Sequence, residues 1–151
     1  MFSHSTTSDA ITPKPHGGLI ASILLLTAVS CFMLSLFLPV YYIHIEDISG
    51  YWVLFTGWLG LVFFQFAWYA NPLILLAILQ AKGCPKTSIL LGLFALALAS
   101  ETFLFYEIPT GINQEKMYIK ELGIGFFIWY LALILFLLWL ISQYVFYRNR
   151  H

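Results

Sequence analysis

Apolar residues fill this chain in long runs. They show neither the two-residue alternation of a half-buried strand nor a narrow helical stripe with a polar opposite face. Four runs stand out, at about residues 19–40, 51–79, 87–108 and 122–146. Each meets or exceeds the roughly 20 residues that a helix needs to cross a hydrocarbon core. Strands of a membrane barrel alternate and run only about 10 residues. The pattern therefore predicts an all-α polytopic membrane protein, with four transmembrane helices in an up-down antiparallel bundle. The second and fourth runs have length to spare for tilt.

The polar stretches divide the runs. Residues 1–17 are rich in Ser, Thr and Pro and bury little, so they are expected to form a disordered tail. The transmembrane domain is expected at 18–147, followed by a short tail at 148–151. The 81–86 stretch, "AKGCPK", is short and holds Gly and Pro, which predicts a tight hairpin between helices two and three. The 109–121 stretch, "PTGINQEKMYIKE", is the longest loop and is expected to hold a short interfacial turn of helix. The "AVSC" around Cys31 loosely matches a lipoprotein cleavage site. Apolar residues continue past it, however, so the first run is read as a retained helix.

Composition agrees with a lipid setting. Hydrophobic residues make up 61% of the chain and charged residues 9%, against about 25% charged in soluble domains. The net charge is zero, so nothing points to nucleic acid. The distribution of cations matters more. Lys14, Lys82, Lys86, Arg148 and Arg150 fall at the two chain ends and the 81–86 loop, whereas the other two loops hold Lys116 and Lys120 beside Glu46, Asp47, Glu115 and Glu121. Cation bias predicts both termini in the cytoplasm, which in a bacterium means the inner membrane.

Against this background the stretch "QFAWYANPLILLAIL" at 65–79 is odd, because it carries Gln65, Asn71 and Pro72 inside an apolar run. Glu101 is the other costly group. A charge at mid-bilayer costs at least about 2.5–3.5 kcal/mol on insertion scales. Depth suggests a pairing. At 1.5 Å per residue, Gln65 lies about 24 Å and Glu101 about 21 Å from the 81–86 loop. A Gln65–Glu101 hydrogen bond between helices two and three is therefore expected. Pro72 lacks an N–H and crowds the preceding turn, so Asn71 and Pro72 predict a kink in helix two, with the amide compensating. Small residues suggest close helix packing at Gly92, Ala95 and Ala99 on helix three, and at Thr27, Cys31 and Ser35 on helix one. Glu101 points away from the first stripe, so helix three has two faces wanting neighbours.

Reaction chemistry is sparse. No phosphate loop, dinucleotide fingerprint or zinc-protease motif occurs. "HIED" at 44–47 reads as a solvated loop rather than a metal site, and the cysteines as reduced thiols. No catalytic residue, metal or cofactor is expected. The segments "GWLGLVFFQFAWYANPLILLAIL" and "LGIGFFIWYLAL" resemble uncharacterised small four-span inner-membrane proteins of bacteria, which implies the fold and no activity. In layout alone the chain is similar to immunity proteins against pore-forming bacteriocins. The expected role is a non-catalytic membrane protein that meets another membrane protein, or itself, through helix faces. The alternative is a small oligomeric transporter or channel using the Gln65–Glu101 pair. A faint repeat joins "SILLL" at 22–26 with "SILLG" at 88–92, and low-complexity composition accounts for it equally well.

Overall fold

A computed structural model describes residues 17–43, 47–109 and 116–148. The polar N-terminal stretch, most of "HIED" and the middle of the 109–121 loop lie outside these residues. The described chain is mostly helical. Three helical stretches are long and apolar enough to cross a membrane, Gly18–Phe37, Pro85–Leu104 and Ile124–Phe146, and two shorter apolar ones are Gly50–Val62 and Ala67–Gln80.

Helix α1 spans Gly17–Phe37, α2 Gly50–Thr56, α3 Ala70–Gln80, α4 Pro85–Ser100 and α5 Ile124–Arg148. The helix α5 is the centre of the packing. It pairs closely with α1 on one side and with α4 on the other, α3 lies mainly against α4, and α1 has no comparable packing on α3 or α4. Ala132, Leu133, Phe136 and Leu140 of α5 are buried with Ala28 of α1, Ala70, Ile74 and Ala77 of α3, and Ala95 and Ala99 of α4. Alanines at these contacts let backbones approach, which supplies dispersion where lipid offers no hydrophobic driving force.

The turn between α3 and α4 follows from its residues. Gly83 and Cys84 donate their N–H groups to Gln80 O at 3.1 and 2.9 Å, and Pro85 opens α4 at a position that needs no donor. Lys82, Lys86 and Arg148 are exposed at this end of the bundle, called here the tail end, and no acidic residue lies among them.

The opposite end is built from short strands. Strand β1 (Pro39–Tyr42) pairs antiparallel with β2 (Asp47–Ser49) and with β5 (Glu121–Leu122), and β3 (Glu107–Pro109) pairs with β4 (Lys116–Tyr118). The interfacial turn expected in the 109–121 loop is thus replaced, over its described part, by strand pairing. Helix three also ends earlier than 108: its α-helix stops at Ser100, tightens to a 3-10 turn at Glu101–Leu104, and gives way to β3. Tyr41 is buried against Val40 and Phe126, and its side chain hydrogen-bonds Thr102, which ties β1 to the end of α4. Burial holds the Tyr41 phenol above its usual range, so it stays neutral.

The main departure is the second run. It is not one helix over 51–79. The α-helix α2 continues as a 3-10 helix over Gly57–Phe63, the chain breaks at residues 64–66, and a 3-10 turn at Ala67–Tyr69 leads into α3. The first hairpin is therefore unlike the α3–α4 hairpin, which leaves the faint repeat without a structural counterpart.

Candidate functional site

Where the α2 segment goes decides the site. Its start is at the strand end: Gly50 N donates to Leu38 O at 3.0 Å, and a Cβ at Gly50 would collide with the Ser35 carbonyl. Its finish is at the same end. Phe66 N donates to Glu101 Oε2 at 2.7 Å and Gln65 Nε2 donates to Glu107 O at 3.0 Å. Between these points lie 14 residues, about 25 Å at 1.5 and 2.0 Å per residue of α and 3-10 helix. The segment therefore runs across the strand end rather than along the bundle.

Three devices fold it back onto the start of α3. Phe64 takes the left-handed conformation, with φ 58°, and reverses the chain. This conformation costs a non-glycine residue about 1–2 kcal/mol. Gly57 and Gly60 allow the return: a Cβ at Gly57 would strike the Trp68 ring, and one at Gly60 the Gln65 carbonyl. Hydrogen bonds then pin the two arms. Trp68 Nε1 donates to Leu54 O at 2.8 Å, Tyr69 OH to Trp58 O at 3.2 Å and Gln65 N to Gly60 O at 2.9 Å. Tyr51, Trp52, Phe55, Trp58, Leu59 and Leu61 stay exposed on the crossing segment, which carries no charged residue. Aromatics of this kind favour the headgroup level of a membrane.

The expected polar residues meet at this fold-back, with other partners than predicted. Gln65 and Glu101 do not bond to one another. The depth arithmetic assumed a continuous helix. The break instead frees backbone groups, and Glu101 takes the Phe66 N–H while Gln65 reaches the Glu107 carbonyl. Ser100, next to Glu101, shares a hydrogen bond with Tyr130 OH at 2.9 Å. Pro72 causes no mid-helix kink. It is the third residue of α3, in the first turn, where a helix has no use for the missing N–H. Asn71 compensates nothing in its own helix; its Oδ1 accepts from Trp129 Nε1 at 2.9 Å, joining α3 to α5.

The packing stripes are also redistributed. Gly92, Ala95 and Ala99 are buried, and a Cβ on Gly92 would meet Leu137 and Leu140 of α5 at 3.1 Å. Glu101 is engaged as well, but Leu90 and Phe94 on its side of α4 stay exposed, so only the small-residue face of α4 is covered within the chain. On α1 the buried small residues are Ala21, Ala28 and Ser35, spaced by seven as in a supercoiled seam. Thr27 is exposed and bonds Ile23 O, and Cys31 is half-buried.

Because the α2 segment lies across the end, no full-length helix separates α1 from α3. The space beneath it is a cavity of about 230 Å³. Phe32, Ser35 and Leu36 of α1 form one wall, Asn71 of α3 and Phe126 and Trp129 of α5 another, and Val53, Leu54, Thr56 and Leu59 the roof. Gln65, Thr102 and Tyr41 complete the rim. None of the lining residues is charged. The Ser35 and Thr56 hydroxyls have their protons engaged: Ser35 donates to Phe32 O at 2.7 Å and Thr56 to Trp52 O at 2.7 Å, while Thr102 pairs with Tyr41. Sequence reasoning missed Trp68, Trp129, Gly57 and Gly60. The Gly57–Gly60 pair was the available signal, since glycine in an apolar run admits a neighbour where a Cβ would not.

No family model matches the chain, and no curated protein or solved structure matches it either. The resemblance to small four-span bacterial proteins therefore gains no support from these comparisons.

Proposed function

We propose that this chain is a non-catalytic integral membrane protein that works by binding, with the cavity under the α2 segment as its receptor site. The observation that carries this reading is the cavity wall itself. It joins apolar surface to a few polar groups, as ligand sites do, and it offers no nucleophile–base pair for chemistry. In this reading α1, α3, α4 and α5 all cross the bilayer, and α3 does so despite its shortness because α4 and α5 flank it. The α4 face that carries Leu90 and Phe94 is exposed and is available to the expected contact with another membrane protein. The cations at the tail end support a cytoplasmic location for both termini and for the 81–84 turn, and in a bacterium an inner-membrane setting.

Two measurements test this. After mild extraction, native mass spectrometry of the wild type is expected to show a retained occupant, and Val53→Phe, which fills the roof, to lose it while remaining folded. An empty wild type, or equal retention by the variant, overturns the binding reading. For orientation, Cys84 is exposed at the tail-end turn. In a Cys31→Ser background, a membrane-impermeant maleimide is expected to label Cys84 in inverted vesicles and not in intact cells. Labelling from outside would reverse the topology.

A further inference from the structure

The polar groups of the cavity specify what it can hold, and this inference rests on the binding reading above. Trp129 Nε1 is a donor only, so the Asn71 atom that faces it must be the carbonyl oxygen. That fixes the amide and leaves Asn71 Nδ2, with its two hydrogens, without a hydrogen bond among the described residues. By the same logic the Glu107 carbonyl is an acceptor only, so Gln65 presents Nε2 to it and keeps Oε1 unengaged. Among the described residues no side-chain nitrogen or oxygen is both sealed in the protein and unpaired. The two unengaged amide atoms therefore lie at accessible surface, and both residues line the cavity. Among the amides of the lining, Asn71 Nδ2 is thus an unpaired donor and Gln65 Oε1 an unpaired acceptor, beside the lone pairs that the Ser35 and Thr56 hydroxyls keep.

Size and charge narrow the ligand further. A 150 Å³ apolar cavity holds a benzene ring, so about 230 Å³ accommodates a small polar head with its first few methylenes. The lining contains no cation to neutralise a phosphate or carboxylate and no anion to balance an amine. An isolated charge brought there would be costly. The unfilled ground between α1 and α3 provides a path for a chain running toward the membrane interior. A quinone ring brings acceptors alone and would leave Gln65 Oε1 unpaired. A hydroxyl beside an ester carbonyl matches both atoms.

We infer that the cavity binds the head of an uncharged glycerol ester lipid, its ester carbonyl accepting from Asn71 Nδ2 and its hydroxyl donating to Gln65 Oε1, with the acyl chain between α1 and α3. The probe is 1-monooleoylglycerol, titrated into phosphatidylcholine nanodiscs holding the full chain and read by native mass spectrometry and thermal unfolding. One retained monooleoylglycerol per chain and a raised Tm are expected. Oleate and phosphatidylglycerol are expected to give neither. Asn71→Asp keeps the acceptor for Trp129 and removes the donors, and is expected to weaken retention about tenfold, equal to 1.4 kcal/mol. Val53→Phe, which blocks the site by bulk, is expected to abolish it. Equal retention of the anionic lipids, unchanged retention by Asn71→Asp, or preferential retention of a quinone or a protein overturns the ligand assignment, and the last two leave the binding reading standing. Failure of every probe together with an empty chain from native membranes removes both.

Discussion

Gly123→Ala is expected to lower stability by about 1–3 kcal/mol, the range for overpacking. Gly123 sits between β5 and α5, with its N–H donating to Val40 O at 2.7 Å. A Cβ there would collide with the Pro39 carbonyl oxygen and lie 2.7 Å from the Pro39 carbonyl carbon, and both are backbone atoms. Gly125 stands in the same row, where a Cβ would fall 2.7 Å from Leu38 O and 2.8 Å from Pro39 O. To admit a methyl group, β1 must move away from the start of α5. That motion would part the β1–β5 pairing and shift Tyr41 from Phe126 and Thr102. It would also open the rim of the cavity. Gly83→Ala is the matched control. Nothing lies within 4 Å of its added Cβ, so its effect is expected within about 0.5 kcal/mol. Thermal or SDS-induced unfolding of the three proteins in one detergent checks this. Equal stabilities at Gly123 and Gly83 would mean that β1 does not pack as described.

The second large effect concerns Glu101, and it separates two roles for an intramembrane carboxyl. Its Oε2 accepts the Phe66 N–H at 2.7 Å, next to the break that ends the α2 segment. Removing the acceptor strands a backbone donor where water is scarce, which costs about 1–3 kcal/mol. Glu101→Leu is expected to lose that amount. Glu101→Gln retains an oxygen at the same reach and is expected to lose less than about 1 kcal/mol. A proton or cation path predicts a different pattern, because there the glutamine would fold normally yet abolish flux. Unfolding curves and proteoliposome flux, measured on the same two variants, distinguish them. If glutamine and leucine are equally disruptive, the carboxylate is needed for its charge, and the transport alternative regains ground.

Both predictions come from contacts that pattern reading could not supply. Gln65, Asn71 and Glu101 were visible as costly residues in apolar runs, and depth counting brought Gln65 and Glu101 to nearly one level. It failed at the partner because it assumed an unbroken helix. The turn at Phe64 has no glycine at its own position to announce it, so a mostly apolar run of 29 residues read as one long span. Pro72 looked like the interruption because proline breaks helices in their interior; its harmless place at a helix start depends on where the helix begins. The stripe at Gly92, Ala95 and Ala99 was legible as a close approach, but which helix approaches was not. On α1, spacing by four caught only Ser35 of the buried small residues, which stand seven apart at Ala21, Ala28 and Ser35.

What the sequence determined by itself is the helical, lipid-suited character of the chain, the tight α3–α4 turn, and the placing of cations toward one end. These follow from composition, run length and local turn chemistry, which need no knowledge of neighbours. The tertiary structure alone decided that the second run folds across the strand end, that α5 is the hub, and that a cavity lies between α1 and α3. Each of these depends on which apolar surface finds which partner. In helices where most positions are apolar, hydrophobicity no longer distinguishes an inner face from an outer one. Close glycine contacts and a few hydrogen bonds decide the arrangement, and their partners are distant in sequence.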